Sequence, residues 1–253
     1  MMEITNAFRK MVASLGSSKG RTTHGCFIAE GTKCVLDTWE HFKCRYLIAT
    51  QQWIDENINR LGNVSPIVAK RADMERMSQL STPSNVIAVY EIPKKEIDED
   101  SIANGLTLLL DRVQDPGNLG TIMRVADWFG ITQIICSKDT VDVYNPKVVQ
   151  ATMGAISRVS VNYCDLSQFI NSHAQLPIYG TFLDGDNIYE TRLTSNGLII
   201  MGNEGQGISS QIEQLVTHKL LVPSFPIDRP TSESLNVGTA TAVVLAEFRR
   251  RLI

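Results

Sequence analysis

Paired cysteines, long apolar runs and a strong net charge are all missing from this 253-residue sequence. The five cysteines are widely scattered and form no CxxC pair, so neither a disulfide framework nor a zinc site is expected. No apolar run approaches the roughly 20 residues that span a bilayer, and the first 20 residues contain no signal-peptide core. These absences predict a cytoplasmic protein that binds no metal and enters no membrane.

The charges are nearly balanced, with 24 Lys and Arg against 27 Asp and Glu. The balance itself does not indicate a nucleic-acid-binding protein. Residues 1–93 carry a net charge of +2, however, and residues 105–253 a net charge of −3. Basic residues gather near the beginning, at Lys10 and Lys19, and at the end, in 249–251. Such patches contact phosphates in some proteins and are solvated surface in others, and both interpretations stay open.

Nucleotide-binding fingerprints are missing too. No GxGxxG follows the first strand-like run, and there is no GxxxxGK[ST]. The nearest pattern is GNEGQG, in which Gly202, Gly205 and Gly207 follow an apolar run and precede a helix-like stretch. Glu204 in its centre would repel a pyrophosphate, which counts against a dehydrogenase. A ligand that carries positive charge or hydroxyl groups fits this turn better.

Strand-like and helix-like runs alternate in two series. The first predicts a small α/β domain over residues 1–93, in which 14–23 (SLGSSKGRTT) is expected to be a loop. The charged stretch 94–104 predicts a linker. The second series, over 105–253, predicts a parallel sheet that is covered by helices on both faces.

Three stretches of the second series stand out, each a polar or glycine-rich turn that leads into a helix. They read DPGNLGTIMRVAD (115–127), GNEGQGIS (202–209) and SLNVGTAT (234–241). The small residues that open the last helix would let another backbone approach closely. In this order the stretches resemble motifs 1, 2 and 3 of the SpoU/TrmH family of RNA ribose methyltransferases. The resemblance implies a SPOUT-type α/β domain with a deep trefoil knot, working as a homodimer whose active sites are completed across the interface.

The resemblance also implies a cofactor, S-adenosylmethionine, whose sulfonium and hydroxyl groups suit the acidic turn. Its expected contacts are Thr181, Gly202, Val222 and Leu235. The expected catalytic residues are Asn118, Arg124, Glu204, Ser234 and Asn236. Asn118 can order its turn instead, and Glu204 can cap a helix instead, or anchor Arg124 or the motif 3 loop.

Arg124 is the residue that such enzymes are proposed to use as the base for the 2′-hydroxyl. Because a guanidinium stays protonated, we expect it to orient the hydroxyl and to stabilise developing oxyanion charge. The proton then leaves through a phosphate or water. One departure from the family pattern is a longer connection, SFPIDRPTSE (224–233), where Asp228 and Arg229 are candidates for further substrate contacts.

The stretch RTTHGCFIAEGTKCVLD (21–37) resembles the RNA-binding domain that precedes many SpoU catalytic domains. His24, Glu30 and Lys33 are candidate RNA contacts, or else turn and cap residues. This second resemblance favours ribosomal over transfer RNA as the substrate of 2′-O-ribose methylation. A transfer RNA methylase and a non-catalytic RNA-binding protein stay open as alternatives, although none of the five catalytic positions has been lost.

Overall fold

The apolar runs form strands that assemble into two separate sheets. The structure, a computed structural model, describes residues 4–60, 62, 64–226 and 234–252. Asp228 and Arg229 therefore lie outside the described residues. Within these ranges the strands are β1 (Cys26–Glu30), β2 (Cys44–Ala49), β3 (Ile67–Val68), β4 (Val86–Glu91), β5 (Leu106–Leu110), β6 (Gln133–Ser137), β7 (Ser160–Cys164), β8 (Ile178–Asn187), β9 (Gly197–Met201) and β10 (His218–Leu221).

Helices connect most of the strands, and short 3₁₀ turns occupy 58–60 and 155–157. The described helices are α1 (Asn6–Ser14), α2 (Ser18–His24), α3 (Thr32–Thr38), α4 (Gln51–Asn57), α5 (Arg71–Met77), α6 (Glu99–Asn104), α7 (Pro116–Trp128), α8 (Pro146–Ala151), α9 (Leu166–Ser172), α10 (Ser210–Glu213) and α11 (Val237–Arg250). Among the residues described, no helix combines the length and the apolar character that crossing a bilayer requires.

The chain divides into two units, and the first consists of residues 1–94 together with 142–157. Its sheet has the order β1-β4-β2-β3, with β4 antiparallel to both neighbours. Strand β1 is buried along its whole length, as its apolar sequence requires. One core cluster packs residues of α1 and α5, such as Val12 and Met74, against the sheet.

Segment 142–157 joins the first unit through specific contacts, whereas the sequence analysis assigned it to the second domain. The buried guanidinium of Arg21 donates two hydrogen bonds to Asp142 Oδ2, at 2.8 and 2.6 Å. The ring of Tyr144 packs on Phe27 of β1, with centroids 4.7 Å apart. Pattern alone cannot reveal this exchange, because α8 has an ordinary helical sequence for either unit.

Helix α2 replaces the loop that was expected over residues 14–23. Ser17 caps the helix by accepting a hydrogen bond from Gly20 N at 3.1 Å, and Gly25 ends it with φ +60°. A side chain at Gly20 would collide with Ser14 O, so the glycine allows a close backbone approach. The expectation was wrong because these glycines and serines serve a capped, tightly packed helix.

The second unit, residues 95–141 and 158–253, contains a sheet of the order β10-β8-β9-β5-β6-β7. Every pairing in it is parallel, which confirms the predicted parallel sheet. Leu109, Ile135 and Ile200 face a core cluster with α6, α9 and α10. On the opposite face Tyr179 of β8 packs on Phe248 of α11, with centroids 5.0 Å apart. Helices therefore cover both faces, as the sequence predicts.

Residues 95–104, which were expected to be a linker, belong to the second unit. Asp98 caps α6 by accepting a hydrogen bond from Ser101 N at 3.0 Å. Ile102 of this helix is completely buried in the core cluster. A single apolar side chain is enough to fix a short capped helix, even where the surrounding sequence is strongly acidic.

Helix α11 is fixed at its C-terminal end by a buried carboxylate. Glu247, which is 4% exposed, accepts hydrogen bonds from Arg250 and from Arg251 at 2.7–2.9 Å. Arg251 also donates to the backbone carbonyls of Ile188 and Tyr189. The two guanidinium groups hold the pKa of Glu247 at about 2. Because α11 begins at the third motif, this anchor sets the direction of a helix that leads into the candidate site.

We expect Glu247→Gln to lower the free energy of unfolding by about 1 kcal/mol at pH 7, because charge-assisted hydrogen bonds are lost. A depressed pKa adds stability above the unfolded pKa, and this stability disappears as the pH falls through the folded value. Denaturant unfolding should therefore show a constant difference above about pH 5 that vanishes toward about pH 2. Glu96→Gln, at an exposed position, is the control. A difference that does not change with pH would contradict this account.

Candidate active site

Three connections meet at the carboxyl end of the parallel sheet, where open α/β sheets place their ligand sites. Motif 1 follows β5, and its Asp115 caps α7 by accepting a hydrogen bond from Asn118 N at 2.8 Å. Motif 2 follows β9, and motif 3 opens α11. The narrow start of α11 packs on α7, since a side chain at Gly238 would lie 2.9 Å from Thr121 Cγ2. Gly238 thus allows close packing on α7, although its nearest neighbour there is a side chain and not the backbone that was expected.

The turn of motif 2 is a closed loop of backbone hydrogen bonds. The backbone N–H of Asn203 donates to the carbonyl oxygen of Gly207 at 3.0 Å, and the N–H of Gly207 donates to the carbonyl oxygen of Asn203 at 2.9 Å. The side-chain Oδ1 of Asn203 accepts from the backbone N–H groups of Gly205 and Gln206, both at 3.0 Å. These N–H groups are therefore engaged within the turn, which counts further against a pyrophosphate site. The sequence analysis missed Asn203, although an asparagine within a glycine-rich turn is a typical sign of this bonding.

Two of the three positions in this turn require glycine, each for a different geometric reason. A Cβ atom at Gly202 would lie 2.3 Å from Gly207 C and from Ile208 N. These are backbone atoms that a side chain cannot displace cheaply. Gly207 has φ +66°, a conformation that favours glycine. Asp111, a buried residue that the sequence analysis also missed, holds the end of the turn through Ser209 N at 2.7 Å.

A chain of hydrogen bonds joins the three motifs. Asn236 caps α11, because its Oδ1 accepts from Gly238 N and Thr239 N at 3.0 and 3.3 Å. Its Nδ2 therefore donates to Asn118 Oδ1, at 2.8 Å. Asn118 Nδ2 in turn donates to Glu204 Oε1, at 2.6 Å. The helix cap thus fixes the orientation of both amides and leaves Glu204 as the carboxylate acceptor at the end of the chain.

Asn118 thus takes part both in its own turn and in the link to the other motifs. Glu204 is not the helix cap that the alternative interpretation required, because Ser209 occupies that position before α10. Its partner is Asn118 and not Arg124. Arg124 is exposed on α7, and Ser234 is exposed before α11. Neither has a hydrogen-bond or ion-pair partner within the described part of the chain.

A cleft of about 590 Å³ opens beside this network. All four predicted cofactor residues line it, and so do Glu204 and Ser234, whereas Asn118, Arg124 and Asn236 are not among its described lining residues. The lining also includes Phe182, Leu183, Asp184, Glu213, Leu220 and Leu221, which the sequence analysis did not single out. Leu220 and Leu221 end β10, Phe182 to Asp184 lie within β8, and Glu213 ends α10. For the first two, the position at the end of a strand is the signal that would have found them.

The lining of the cleft is acidic. It contains three carboxylates, Asp184, Glu204 and Glu213, and none of its described residues is Lys or Arg. Lys219 pairs with Glu213 and, at 3.6 Å, with Asp184, which neutralises part of this charge. The carboxylate of Glu204 accepts only the neutral amide of Asn118 among described partners. The cleft therefore favours a ligand that carries positive charge over a phosphorylated one.

The comparison with known sequences agrees with this geometry. Residues 105–246 match the SpoU rRNA Methylase family, and residues 6–88 match the MRM3-like substrate binding domain. The chain belongs to the SpoU rRNA Methylase family. The sequence resemblance is thereby confirmed for the catalytic region, and the match over 6–88 agrees with the second resemblance.

Two curated relatives and one solved structure illustrate the family. The chain is 30% identical to the 23S rRNA (guanosine(2553)-2'-O)-methyltransferase RlmP of Bacillus subtilis, over 68% of each chain. It is 27% identical to a 23S rRNA (uridine(2479)-2'-O)-methyltransferase of Streptomyces viridochromogenes, over 97% of this chain and 90% of the relative. The SpoU methyltransferase AviRb of Streptomyces viridochromogenes, crystallised with AdoMet, superimposes with a TM-score of 0.82 at 26% identity, over 98% of this chain and 99% of that one.

The polarity of the hydrogen-bond chain can be tested with Asn118→Asp, which replaces the amide donor opposite Glu204 by a second carboxyl group. Two carboxylates at this distance cannot both ionise without cost, so the pair retains a proton and its pKa in the folded protein rises. A raised pKa adds stability at low pH that is lost as the pH increases. We expect a loss of about 1–3 kcal/mol in the free energy of unfolding at pH 8 and a smaller loss at pH 5.

Urea unfolding at the two pH values measures the effect. Asn171→Asp is the matched control, because Asn171 is exposed on α9 and far from any motif in the sequence. Its effect on stability should be small at both pH values. A loss for Asn118→Asp that is equal at pH 5 and pH 8 would show that Glu204 does not accept from Asn118 as a carboxylate.

Proposed function

We propose that the protein transfers a methyl group from S-adenosylmethionine to a ribose 2′-hydroxyl of ribosomal RNA. The observation that carries this proposal is the chain from Asn236 through Asn118 to Glu204, which joins three family motifs beside an acidic cleft. Family membership over 105–246 supports the reaction. Ribosomal RNA is supported over transfer RNA by relatives that are named for 23S rRNA.

The cleft suits S-adenosylmethionine in size, polarity and charge. Its volume falls within the range of about 300–1,000 Å³ that is usual for small-molecule sites. The apolar side chains of Met201, Ile208 and Leu220 suit an adenine ring, and the backbone at Gly202, Val222 and Leu235 can bond its edges. The carboxylates suit a sulfonium. When bound, this cofactor supplies an electrophilic methyl group.

The protein's own residues position the acceptor and accommodate its proton. Methyl transfer is an in-line displacement, so placement of the ribose oxygen contributes most. Arg124, exposed and without a described partner, is available to bind the RNA backbone and to stabilise charge on the 2′-oxygen. Asn118 and Glu204 hold the motif 1 turn against motif 2. The proton leaves through a phosphate or water, because the guanidinium cannot accept it.

The first 93 residues supply RNA affinity in this proposal. Their net charge of +2 and the match to a substrate binding domain support this role. Glu30 is not one of the RNA contacts, since it is buried and accepts from Ser78 Oγ and Gln79 N at 2.7 and 2.6 Å. Burial raises the pKa of this carboxyl group. His24 and Lys33 stay candidates.

We also propose that the working unit is a homodimer. Trp128 of α7 is 84% exposed, and Val125 and Val243 on α7 and α11 are only partly buried, so both helices present apolar surface that a second copy can cover. The deep trefoil knot and the cytoplasmic location remain part of the proposal. The strand order, in which β8 lies between β9 and β10, is consistent with the knot.

The function is tested by deleting the gene and mapping ribose methylation in ribosomal and transfer RNA. We expect one 2′-O-methyl group to disappear from large-subunit rRNA and to return with the wild-type gene. Gly202→Ala should not restore it, because the added Cβ collides with backbone atoms of the cleft. Gly205→Ala should restore it, because in the same turn the nearest atom, Asn203 Oδ1, is 3.7 Å from the new Cβ.

Calorimetry on the purified proteins gives the direct measurement. The wild type and Gly205→Ala should bind S-adenosylmethionine but not NAD, while Gly202→Ala should lose at least tenfold in affinity, equivalent to about 1.4 kcal/mol. Binding of NAD without binding of the methyl donor would refute the proposal. Loss of a methyl group from transfer RNA alone would redirect it to the alternative substrate.

The role of Arg124 in the methyl-transfer step can be tested by substitution. Arg124→Ala should reduce single-turnover methyl transfer at least 100-fold and leave S-adenosylmethionine affinity within about twofold, because α7 contributes no residue to the described lining of the cleft. Arg124→Lys should also be poor, since a point charge cannot replace the planar fork of the guanidinium group.

The homodimer can be tested with a mixture of Arg124→Ala and Gly202→Ala chains, which should regain methyl transfer if the active sites are shared between two chains. A fully active monomer in light scattering would refute the dimer.

A further inference from the structure

Arg112, at the end of β5, has a backbone conformation that normally belongs to glycine. Its φ is +59°, and Arg112 and Met153 are the two non-glycine residues with positive φ in the described part of the chain. An L-residue pays for this left-handed conformation through contact of its Cβ with the carbonyl oxygen, and glycine does not. Glycine would therefore adopt this backbone conformation at a lower energetic cost than arginine. Strain kept at the edge of a ligand site is a sign that the side chain has a use.

The backbone of Arg112 is held on both sides. Its N–H donates to Ser137 Oγ of β6 at 2.9 Å, and its carbonyl accepts from Asn203 Nδ2 of the motif 2 turn at 2.8 Å. Arg112 is therefore fixed between β6 and the turn that lines the cleft. These two hydrogen bonds hold its backbone, so its side chain leaves the backbone in a set direction.

The guanidinium group is only partly used by the protein. Nη1 donates to Gln206 Oε1 at 2.9 Å, and Nε lies 3.4 Å from Asp111 Oδ1 without forming a hydrogen bond to a described atom. The side chain is 29% exposed. Nε is buried and ion-paired with Asp111, and of the four N–H groups on Nη1 and Nη2 one has an acceptor in the described structure, Gln206 Oε1. A guanidinium fork with free donors matches a phosphate.

The motif 2 turn brings this cation close to the catalytic network. Arg112 binds one side of the turn through Gln206, and Asn118 binds the other side through Glu204. Glu204 and Gln206 are two positions apart, so their Cα atoms are at most about 7 Å apart. Arg112 and Asn118 therefore bind two nearby positions of one turn, so the cation and the hydrogen-bond network are attached to the same short segment.

We propose that Arg112 binds an RNA backbone phosphate beside the target nucleotide and so positions the ribose for methyl transfer. This inference rests on the proposed function. Arg112 acts by holding the substrate, as a second cation in addition to Arg124. The acidic lining of the cleft makes such a cation useful, because the RNA backbone must approach carboxylates that repel it.

The test uses the full chain, in vitro transcribed 23S rRNA and four substitutions. Arg112→Gly removes the side chain and suits the left-handed backbone, which offsets part of the loss of the ion pair with Asp111, so the protein should remain folded. We expect the KM for RNA to rise about tenfold with little change in kcat and in S-adenosylmethionine affinity. The slope of log affinity for RNA against log salt should become shallower by about 0.7–0.9, the value for one phosphate contact. Arg112→Lys should keep the slope and recover part of the affinity.

Gln206→Ala separates RNA binding from support of the turn, because it removes the bond to Arg112 and leaves the charge. It should leave the salt slope unchanged. Arg192→Gln, at an exposed arginine of the β8–β9 connection with no described partner, controls for the loss of one surface charge and should also leave it unchanged. The proposal is overturned if Arg112→Gly keeps the wild-type slope, or if it matches Gln206→Ala in every measurement. A wild type that neither binds S-adenosylmethionine nor methylates rRNA would instead refute the proposed function.

Discussion

The candidate site depends on a single helix cap. The Oδ1 of Asn236 must accept from the first N–H groups of α11, and this requirement fixes which end of its amide donates. The Nδ2 of Asn236 must then donate to Asn118 Oδ1, and the Nδ2 of Asn118 must donate to the carboxylate of Glu204. Three loops from distant parts of the chain are held in one arrangement by groups that cannot exchange donor and acceptor. The asparagine that caps α11 therefore also organises the site.

Close backbone packing is the second constraint. The turn after β9 approaches itself so closely at Gly202 that no Cβ fits between its backbone atoms, while at Gly238 a Cβ would crowd the Thr121 side chain of α7 at 2.9 Å. Backbone groups then line the cleft where side chains would otherwise fill it. This explains why a site for a large ligand can form from short turns at the end of a sheet. The glycines are required by distance more than by flexibility.

Much of this arrangement could be predicted from the sequence, and the failures have physical causes. Runs such as Leu106–Leu110 are apolar throughout, as buried parallel strands require, so the parallel sheet could be predicted. The family resemblance predicted Gly202, Glu204, Val222 and Leu235 as site residues, and all four line one cleft. The chain from Asn236 to Glu204 could not be predicted, since sequence spacing carries no information about which amides meet. Asp111 was missed for a related reason, because its hydrogen bond to Ser209 is long-range, whereas Asn203 carried a local signal in its glycine-rich turn.

Segment 142–157 has a consequence for how the protein is made. The first unit is discontinuous in the chain, and its contacts with this segment include the Arg21–Asp142 pair and the packing of Tyr144 on Phe27. Domains usually fold in the order in which they are synthesised. Here the core of the N-terminal unit is completed only once residue 157 has been translated. By then β5, α7 and β6 of the other unit, which include motif 1, have already been translated.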